Sequence, residues 1–368
     1  MVTVVSGVVK DYGWGIVDGL APWCGGPTGR PQAELWFGAH PSAPSPVVFP
    51  SGLAAGTTLA DMFDVHEIPL LVKLLAAAQP LSVQVHPGAD LARRRWSDQQ
   101  ANGGPQILAD GNEKTELIVA IEPFEAFVGW RSNVEAVAVL SRIPSAAVGA
   151  ELLATGDRIA AIRALLAAEG LQEAVAQLPE ASREAGLPAI ECAAYETVAS
   201  TYPGDKGALL TALLAHVSLD VGSATYVPAG VPHSYIRGLG LEVMTTSDNV
   251  LRLGLTPKPI FIDEAIEALD LGASPQVLRR RVGEIIAPPG APFEALLARG
   301  LTGMHEHAAQ VIMRQGRFRL CLAIEGAATI TTDTGSVVLN PGTAAILPHD
   351  DSAARVAAPG LVALVAGG

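Results

Sequence analysis

Two histidines in the sequence stand in settings that suit coordination chemistry. The run Gly222-Ser223-Ala224-Thr225-Tyr226-Val227-Pro228-Ala229-Gly230-Val231-Pro232-His233 places His233 after an apolar stretch and a Pro-x-Gly turn. Such a turn aims the imidazole inward from the start of the next strand, toward ligands on a facing strand. Leu81-Ser82-Val83-Gln84-Val85-His86-Pro87 reads as a strand, and side-chain alternation puts Gln84 and His86 on one side of it. An amide oxygen and an imidazole there can chelate one ion. Downstream, Asn112-Glu113-Lys114-Thr115-Glu116-Leu117-Ile118-Val119-Ala120 sets a carboxylate at the start of an apolar strand. Gln84, His86, Glu116 and His233 make a mixed nitrogen and oxygen set, which suits a borderline divalent ion such as zinc with positions open for substrate oxygens.

The elements that must carry these side chains are strands. Over residues 2–50 short β-like runs are broken by Gly and Pro, as in Asp11-Tyr12-Gly13-Trp14-Gly15. Over 70–128 apolar stretches of strand length alternate with polar, Gly-rich loops such as Ala101-Asn102-Gly103-Gly104. The character changes near Asn133, where Ala, Leu and Glu take over. Ile159, Ile162 and Leu166, then Leu171, Val175 and Leu178, recur at helical steps. This predicts a helical insert over 133–216, its last helix at 209–214. Strands are expected again at 224–227, 234–236 and 241–244, and a connecting helix at 263–271. Five more strands follow at 318–324, 328–332, 337–339, 344–347 and 361–365. The expected fold class is mainly β with an α-helical insert. Residues 1–132 and 217–260 would form a first barrel with the metal site, 133–216 a helical domain, and 261–368 the connecting helix with a second barrel or sandwich.

A chain of 368 residues exceeds the ~250–300 at which single cores stop growing, so two or three packed units are expected. Hydrophobic residues at 49% and charged residues at 17% can bury a large core and exclude the disordered and fibrous classes. The 24 Lys and Arg against 37 Asp and Glu leave a net charge of −13, the opposite of the footprint that a nucleic-acid backbone demands. An acidic chain that binds a small anion must gather its cations locally, which makes the place of each Lys and Arg informative. Cys24, Cys192 and Cys321 form no CxxC pair and no even-numbered framework, as expected in a reducing compartment. No apolar stretch reaches the ~20 uninterrupted residues needed to cross a bilayer, and the most apolar run, 68–83, contains Lys73 and Pro80. A cytoplasmic monomer without membrane or nucleic-acid partners is expected.

The segment ending at His233 meets every position of the spacing G-x5-P-x-G-x2-H and resembles the second metal-binding motif of the cupin superfamily. Arg237 stands where an Asn is usual, and Gln84-Val85-His86 stands where cupins present His-x-His. Longer matches follow in order: Ala33-Glu34-Leu35-Trp36-Phe37-Gly38-Ala39-His40-Pro41, Ala78-Gln79-Pro80-Leu81-Ser82-Val83-Gln84-Val85-His86-Pro87, Tyr202-Pro203-Gly204-Asp205, and Leu241-Glu242-Val243-Met244 through Ser247-Asp248-Asn249-Val250-Leu251-Arg252 to Leu255-Thr256-Pro257-Lys258. In these the chain resembles the type I phosphomannose isomerases over nearly its whole length.

The resemblance implies two cupin-type jelly-roll barrels, the second without metal, and a zinc enzyme with one ion per chain. Its partner would be a small phosphorylated sugar, mannose 6-phosphate, interconverted with fructose 6-phosphate. Gln84, His86, Glu116 and His233 fall at the metal-ligand positions. Lys73, Ser82 and Lys258 fall where the family binds phosphate, two cations and a hydroxyl able to engage its oxygens. Lys114, Glu242, Asp248 and Arg252 would line the pocket near the reacting carbons, and Trp14 would form an apolar wall. Moving hydrogen between C1 and C2 requires ring opening, proton abstraction beside a carbonyl and stabilisation of an enediolate. Lys114 or a carboxylate can carry the proton, and the choice among them stays open. Arg252 is a poor base that suits orienting substrate or steadying the enediolate.

Each residue also has a duller reading. His86 could end a strand, Glu116 and Lys114 could be solvated charges, and Lys73 could snorkel from a strand edge. Arg252, Lys258 and Asp248 could belong to an ordinary polar loop and turn, and Trp14 to the core. His40, His66, His216 and His349 show no ligand spacing and are read as structural. Met304-His305-Glu306-His307 imitates a cupin pair without a partner motif after it. Two rival functions remain: a metal-dependent cupin oxygenase, which needs a redox metal, and a non-catalytic sugar-binding cupin, indifferent to the pocket's Lys114, Glu242, Asp248 and Arg252.

Overall fold

The computed structural model describes residues 2–64, 66–301 and 306–368. β-strands dominate, and most helices follow one another over residues 133–213. The larger sheet has eleven strands among the described residues. Its main path runs Gln276–Leu278, Ala224–Val227, Glu116–Ala120, His233–Thr245, Leu70–Ala77, Glu34–Phe37 and Val8–Lys10, every pair antiparallel. Off this path, Phe124–Trp130 pairs with both His233–Thr245 and Leu214–Leu219, and Val83–Val85 pairs with both His233–Thr245 and Leu251–Gly254. These pairings do not close into a ring.

Leu70–Ala77 shows why the sheet forms here. All eight of its residues are buried, so it reads as a continuous apolar run rather than an alternating one, and Lys73 is its single charge. The expected first unit differs at its amino end. Thr3–Ser6 pairs with Thr343–Leu347, from Thr3 opposite Ile346 to Ser6 opposite Thr343, and so joins the six-stranded sheet built from the carboxyl-terminal strands. Trp23 Nε1 adds a second tie, donating to the Ile324 carbonyl at 2.8 Å. Val5, Leu35, Leu74 and Val243 bury in one core with Leu297, Leu320 and Val365, so the two sheets share their apolar faces.

The helices Asn133–Leu140, Ala147–Ala154, Arg158–Leu166, Leu171–Glu184 and Ala189–Thr201 lead into a 3-10 segment, Lys206–Leu213. The Ser132 and Asp157 side chains cap two of them by accepting from Glu135 N–H and Ala160 N–H. Val139, Leu153, Leu165, Leu178 and Val198 pack with Phe127 and Leu253 of the sheet. Strand structure resumes at Leu214, inside the span expected to be helical, because Leu214–Leu219 completes the edge of Phe124–Trp130.

Two further differences bear on the site. Within 70–128, read as strands alternating with polar loops, residues 89–102 form the helix Ala89–Asn102; it buries only Ala92 and so lacks the apolar stripe that would reveal it. The runs 234–236 and 241–244, expected as separate strands, are one strand, His233–Thr245. Its pairing with Phe124–Trp130 shifts between Tyr235 opposite Ala126 and Arg237 opposite Glu125, the mark of an extra residue in a β-bulge. Gly238 follows at φ +131°, where a Cβ would meet Pro123 O and Phe124 Cδ2 at 2.7 Å. Of the run Met304-His305-Glu306-His307, the first two lie outside the described residues, and the other two open the helix Glu306–Ile312 in exposed positions. No helix among the described residues is long and apolar enough to cross a membrane.

Candidate metal and substrate site

Strand register brings the four expected ligands together. His233 is the cross-strand partner of Gln84, and Glu116 opens its strand between Val227 and Met244. His86 Nε2 lies 3.1 Å from Glu116 Oε1, and His233 Nε2 lies 3.2 Å from Glu116 Oε2. All three side chains are buried. Each ring is held from behind: His86 Nδ1–H donates to the Asn249 carbonyl at 2.7 Å, and His233 Nδ1–H to the Val231 carbonyl at 3.1 Å. A carbonyl only accepts, so the proton sits on Nδ1 and each Nε2 presents a lone pair. Two lone pairs and a carboxylate therefore converge, with their atoms within 4.8 Å of one another. His86 Nε2 is buried without a hydrogen-bond partner. Acceptors packed in this way repel unless a cation lies among them, so the donor set fits a divalent metal ion.

Gln84 turns its amide nitrogen to His233 Nε2 at 3.1 Å and accepts from Ser82 Oγ at 2.9 Å through Oε1. A half-turn of the amide brings Oε1 to the histidine side, and the Ser82 hydroxyl can accept from the nitrogen as readily as donate to the oxygen. Burial, with Lys114 and His233 adding to it, pulls the His86 imidazole down to about 4. Burial alone would raise Glu116. Lys114, with Nζ 2.8 Å from Oε1, and the histidines outweigh that and hold the carboxyl well below its usual range.

A second row of charge crosses the same sheet. Trp36, Lys73 and Glu242 are successive cross-strand partners. Lys73 Nζ lies 2.9 Å from Glu242 Oε2 and 3.8 Å from Glu34 Oε1, above the Trp36 ring at 4.7 Å. Trp36 Nε1 donates to Glu34 Oε2 at 2.7 Å. Burial opposes the charge on Lys73, but Glu242 and Glu34 overcome it and raise its pKa. Burial also raises Glu242, and the nearby Glu116 and Glu34 carboxylates add to the rise against the lowering effect of Lys73. Tyr235 joins the two rows, with Oη 3.4 Å from Glu116 Oε2 and its ionisation suppressed first by burial and then by Glu116 and Glu242. The bulge after Tyr235 makes this possible. Without it, His233 and Glu242, an odd number of residues apart, would face opposite sides of the strand.

These side chains floor a cavity of about 480 Å³. Of the twelve candidate residues, ten line it, namely Trp14, Lys73, Ser82, Gln84, Lys114, Glu116, Glu242, Asp248, Arg252 and Lys258, while the buried His86 and His233 adjoin it through Glu116. Arg252 is the cross-strand partner of Gln84. Lys258 is exposed, with Nζ 5.3 Å above the Tyr12 ring, which stacks on Trp14 at 5.7 Å. Burial lowers the pKa of Arg252, and partial desolvation at the mouth, with Arg252 adding to it, lowers that of Lys258.

Comparison with known proteins places this geometry. A family model described as phosphomannose isomerase type I, catalytic domain, matches residues 3–133. The chain is 32% identical to the mannose-6-phosphate isomerase of Salmonella typhimurium over 97% of each. The chain belongs to the type I phosphomannose isomerases. Its likeness extends to mannose-6-phosphate isomerase 1 of Arabidopsis thaliana, 29% identical over 93% of this chain and 88% of that one. Among solved structures, a mutant of phosphomannose isomerase from Salmonella typhimurium superimposes with a TM-score of 0.82 at 28% identity, covering 100% of this chain and 99% of that one. A mannose 6-phosphate isomerase bound with zinc and yttrium gives 0.80 at 27%, with the same coverage.

In this member of the type I phosphomannose isomerases, sequence reasoning gave no role to Tyr12, Glu34, Trp36, Tyr202 or Tyr235, which also line the cavity. Glu34 and Trp36 stand two apart in one strand, as do His233 and Tyr235, so the alternation that links Gln84 with His86 was the signal for them too. Three of the other described histidines are occupied elsewhere, and His66 and His307 are exposed. His40 meets the Trp36 ring edge-on at 5.5 Å, His216 Nε2 lies 3.4 Å from Glu125, and His349 pairs with Asp350 at the surface. Among the described residues, the cluster His86, Glu116 and His233 is the one group of His, Cys, Asp and Glu able to hold a metal.

Proposed function

We propose that this chain interconverts mannose 6-phosphate and fructose 6-phosphate, with one zinc ion held by Gln84, His86, Glu116 and His233. The convergence of two imidazole lone pairs and the Glu116 carboxylate at the floor of the cavity carries the reading. We also read the two sheets as cupin-type jelly rolls, flanking the helical insert, with Thr3–Ser6 exchanged into the second. A cavity of about 480 Å³ suits a hexose phosphate.

When bound, the ion supplies Lewis acidity to the C1 and C2 oxygens of the open-chain sugar. The chain's own residues do the rest. Lys114, Glu242 and Asp248 line the cavity as the groups able to carry a proton between C1 and C2. Glu242 is favoured among them, since burial has raised its pKa toward the range in which a carboxylate exchanges protons readily. Arg252 keeps its charge beside Gln84 and balances the negative oxygens of the enediolate. Lys258 at the mouth, with Ser82 and Lys73 deeper in, supplies the phosphate contacts; Lys73 reaches the phosphate only by loosening its hold on Glu242. Tyr12 and Trp14 wall the site against water.

A coupled assay on mannose 6-phosphate, run after chelator treatment and again after zinc is restored, tests the reading. Activity should vanish and return. Full turnover by a rigorously metal-free preparation would overturn it.

A further inference from the structure

We propose that Asn249 is the positioning residue that aims His86 at the metal and sets Asp248 over the cavity. The inference rests on the metal site read above. Asn249 is fully buried, and its carbonyl is the acceptor that fixes the His86 ring. Its side chain is saturated. Oδ1 accepts from Ala109 N–H at 2.8 Å and Asp110 N–H at 3.2 Å, while Nδ2 donates to the Asp110 and Asn112 carbonyls, both at 2.9 Å, and to Asp110 Oδ1 at 3.1 Å. Asp110 completes the clamp by accepting from Ser247 Oγ at 3.0 Å and from Asp248 N–H at 3.1 Å.

One amide thus stitches residues 109–112, which lead into Lys114 and Glu116, to residues 247–249, which lead into Arg252. The two ligand histidines differ in how they are oriented. His233 is held by the carbonyl of Val231, two residues before it in the same turn, so its orientation is local. His86 is held by a carbonyl 163 residues away in sequence, and nothing in its own turn supplies that acceptor. The direction of the Asn249 carbonyl therefore depends on the clamp that the Asn249 side chain makes. Apolar replacement takes their partner from the Ala109 and Asp110 N–H groups and the Asp110 carbonyl, leaves the Asn112 carbonyl only the Ser247 hydroxyl at 3.4 Å, and opens a hole where the amide was, so the loop shifts to find other partners. The carbonyl turns with it, and the His86 ring loses the hydrogen bond that holds its Nε2 on the ion. Outer partners of ligand histidines are worth about 10–100-fold in metal affinity.

Cobalt(II) can be titrated into metal-free native protein, Asn249→Ala, Asn249→Asp and His233→Ala against a competing chelator, with the visible cobalt spectrum recorded for each and folding checked by circular dichroism and melting. Asn249→Asp keeps the size and the acceptor but replaces the donating nitrogen, so it tests the clamp even where Asn249→Ala fails to fold. Both Asn249 variants should bind cobalt about 10–100-fold more weakly and shift its spectrum. A folded Asn249 variant with native cobalt affinity and spectrum overturns the inference. If His233→Ala also binds cobalt like the native protein, the metal site itself has been misread, which separates the two failures.

Discussion

Lys73 Nζ lies 2.9 Å from Glu242 Oε2 across adjoining strands, with both side chains buried. Little of either charge meets water even though both line the cavity, so each depends mainly on the other. Removing one partner of a buried pair costs up to about 3–5 kcal/mol, because the other is left charged with little solvation, and the cavity beside this pair lowers that figure, whereas replacing both costs less. Lys73→Met should therefore destabilise the protein more than the double variant Lys73→Met with Glu242→Leu, as read by urea unfolding. Glu34, at 3.8 Å, limits how far the double variant recovers. Strictly additive losses would show that the two residues are not coupled.

Metal-free protein should lose stability as the pH falls from about 6.5 toward about 4. Burial puts the His86 imidazole at about 4 in the folded chain, below its ordinary 6.5. Between those values the unfolded chain binds the proton and the folded one does not, so each pH unit downward costs up to about 1.4 kcal/mol. Above the ordinary value the contribution is flat. Glu116 acts with the same sign at lower pH: its depressed pKa stabilises above the ordinary carboxylate range and is lost as the pH drops further. Urea midpoints in chelator should show the slope, and His86→Gln should flatten its upper part. Midpoints that do not change from neutral pH to about pH 5 would refute it.

Most of this site was legible because its parts obey short rules. The Pro-x-Gly turn before His233 and the two-residue step from Gln84 to His86 are local, and both survive into the structure. What escaped was set by tertiary events that leave faint traces in sequence. The long strand hides behind Arg237-Gly238-Leu239-Gly240, which reads as a turn; its glycine makes room for Phe124, a contact no local pattern announces. The solvated helix Ala89–Asn102 has no apolar stripe to count. Thr3–Ser6 is an unremarkable β run whose partner lies at the other end of the chain. Glu34 looked like one charge of many, and only the register of Trp36 with Lys73 shows that it shares a buried ammonium.

Lys258 and Lys73, grouped by type as cations for the phosphate, should separate in kinetics. Lys258 is exposed at the mouth above Tyr12, whereas the Lys73 ammonium is already held by Glu242 and Glu34. A charged hydrogen bond to phosphate is worth about 1.5–3 kcal/mol, so Lys258→Ala should raise KM for mannose 6-phosphate about 10–100-fold with kcat nearly unchanged. Turnover of free mannose should not respond. Lys73→Met should instead depress kcat on both sugars, because it disturbs the ionisation of Glu242, the proposed proton carrier, and should add a smaller rise in KM for the phosphorylated sugar. Equal losses on phosphorylated and free sugar in Lys258→Ala would remove the phosphate from that end of the cavity. A pure KM effect in Lys73→Met would confine that lysine to phosphate binding and remove its influence on Glu242.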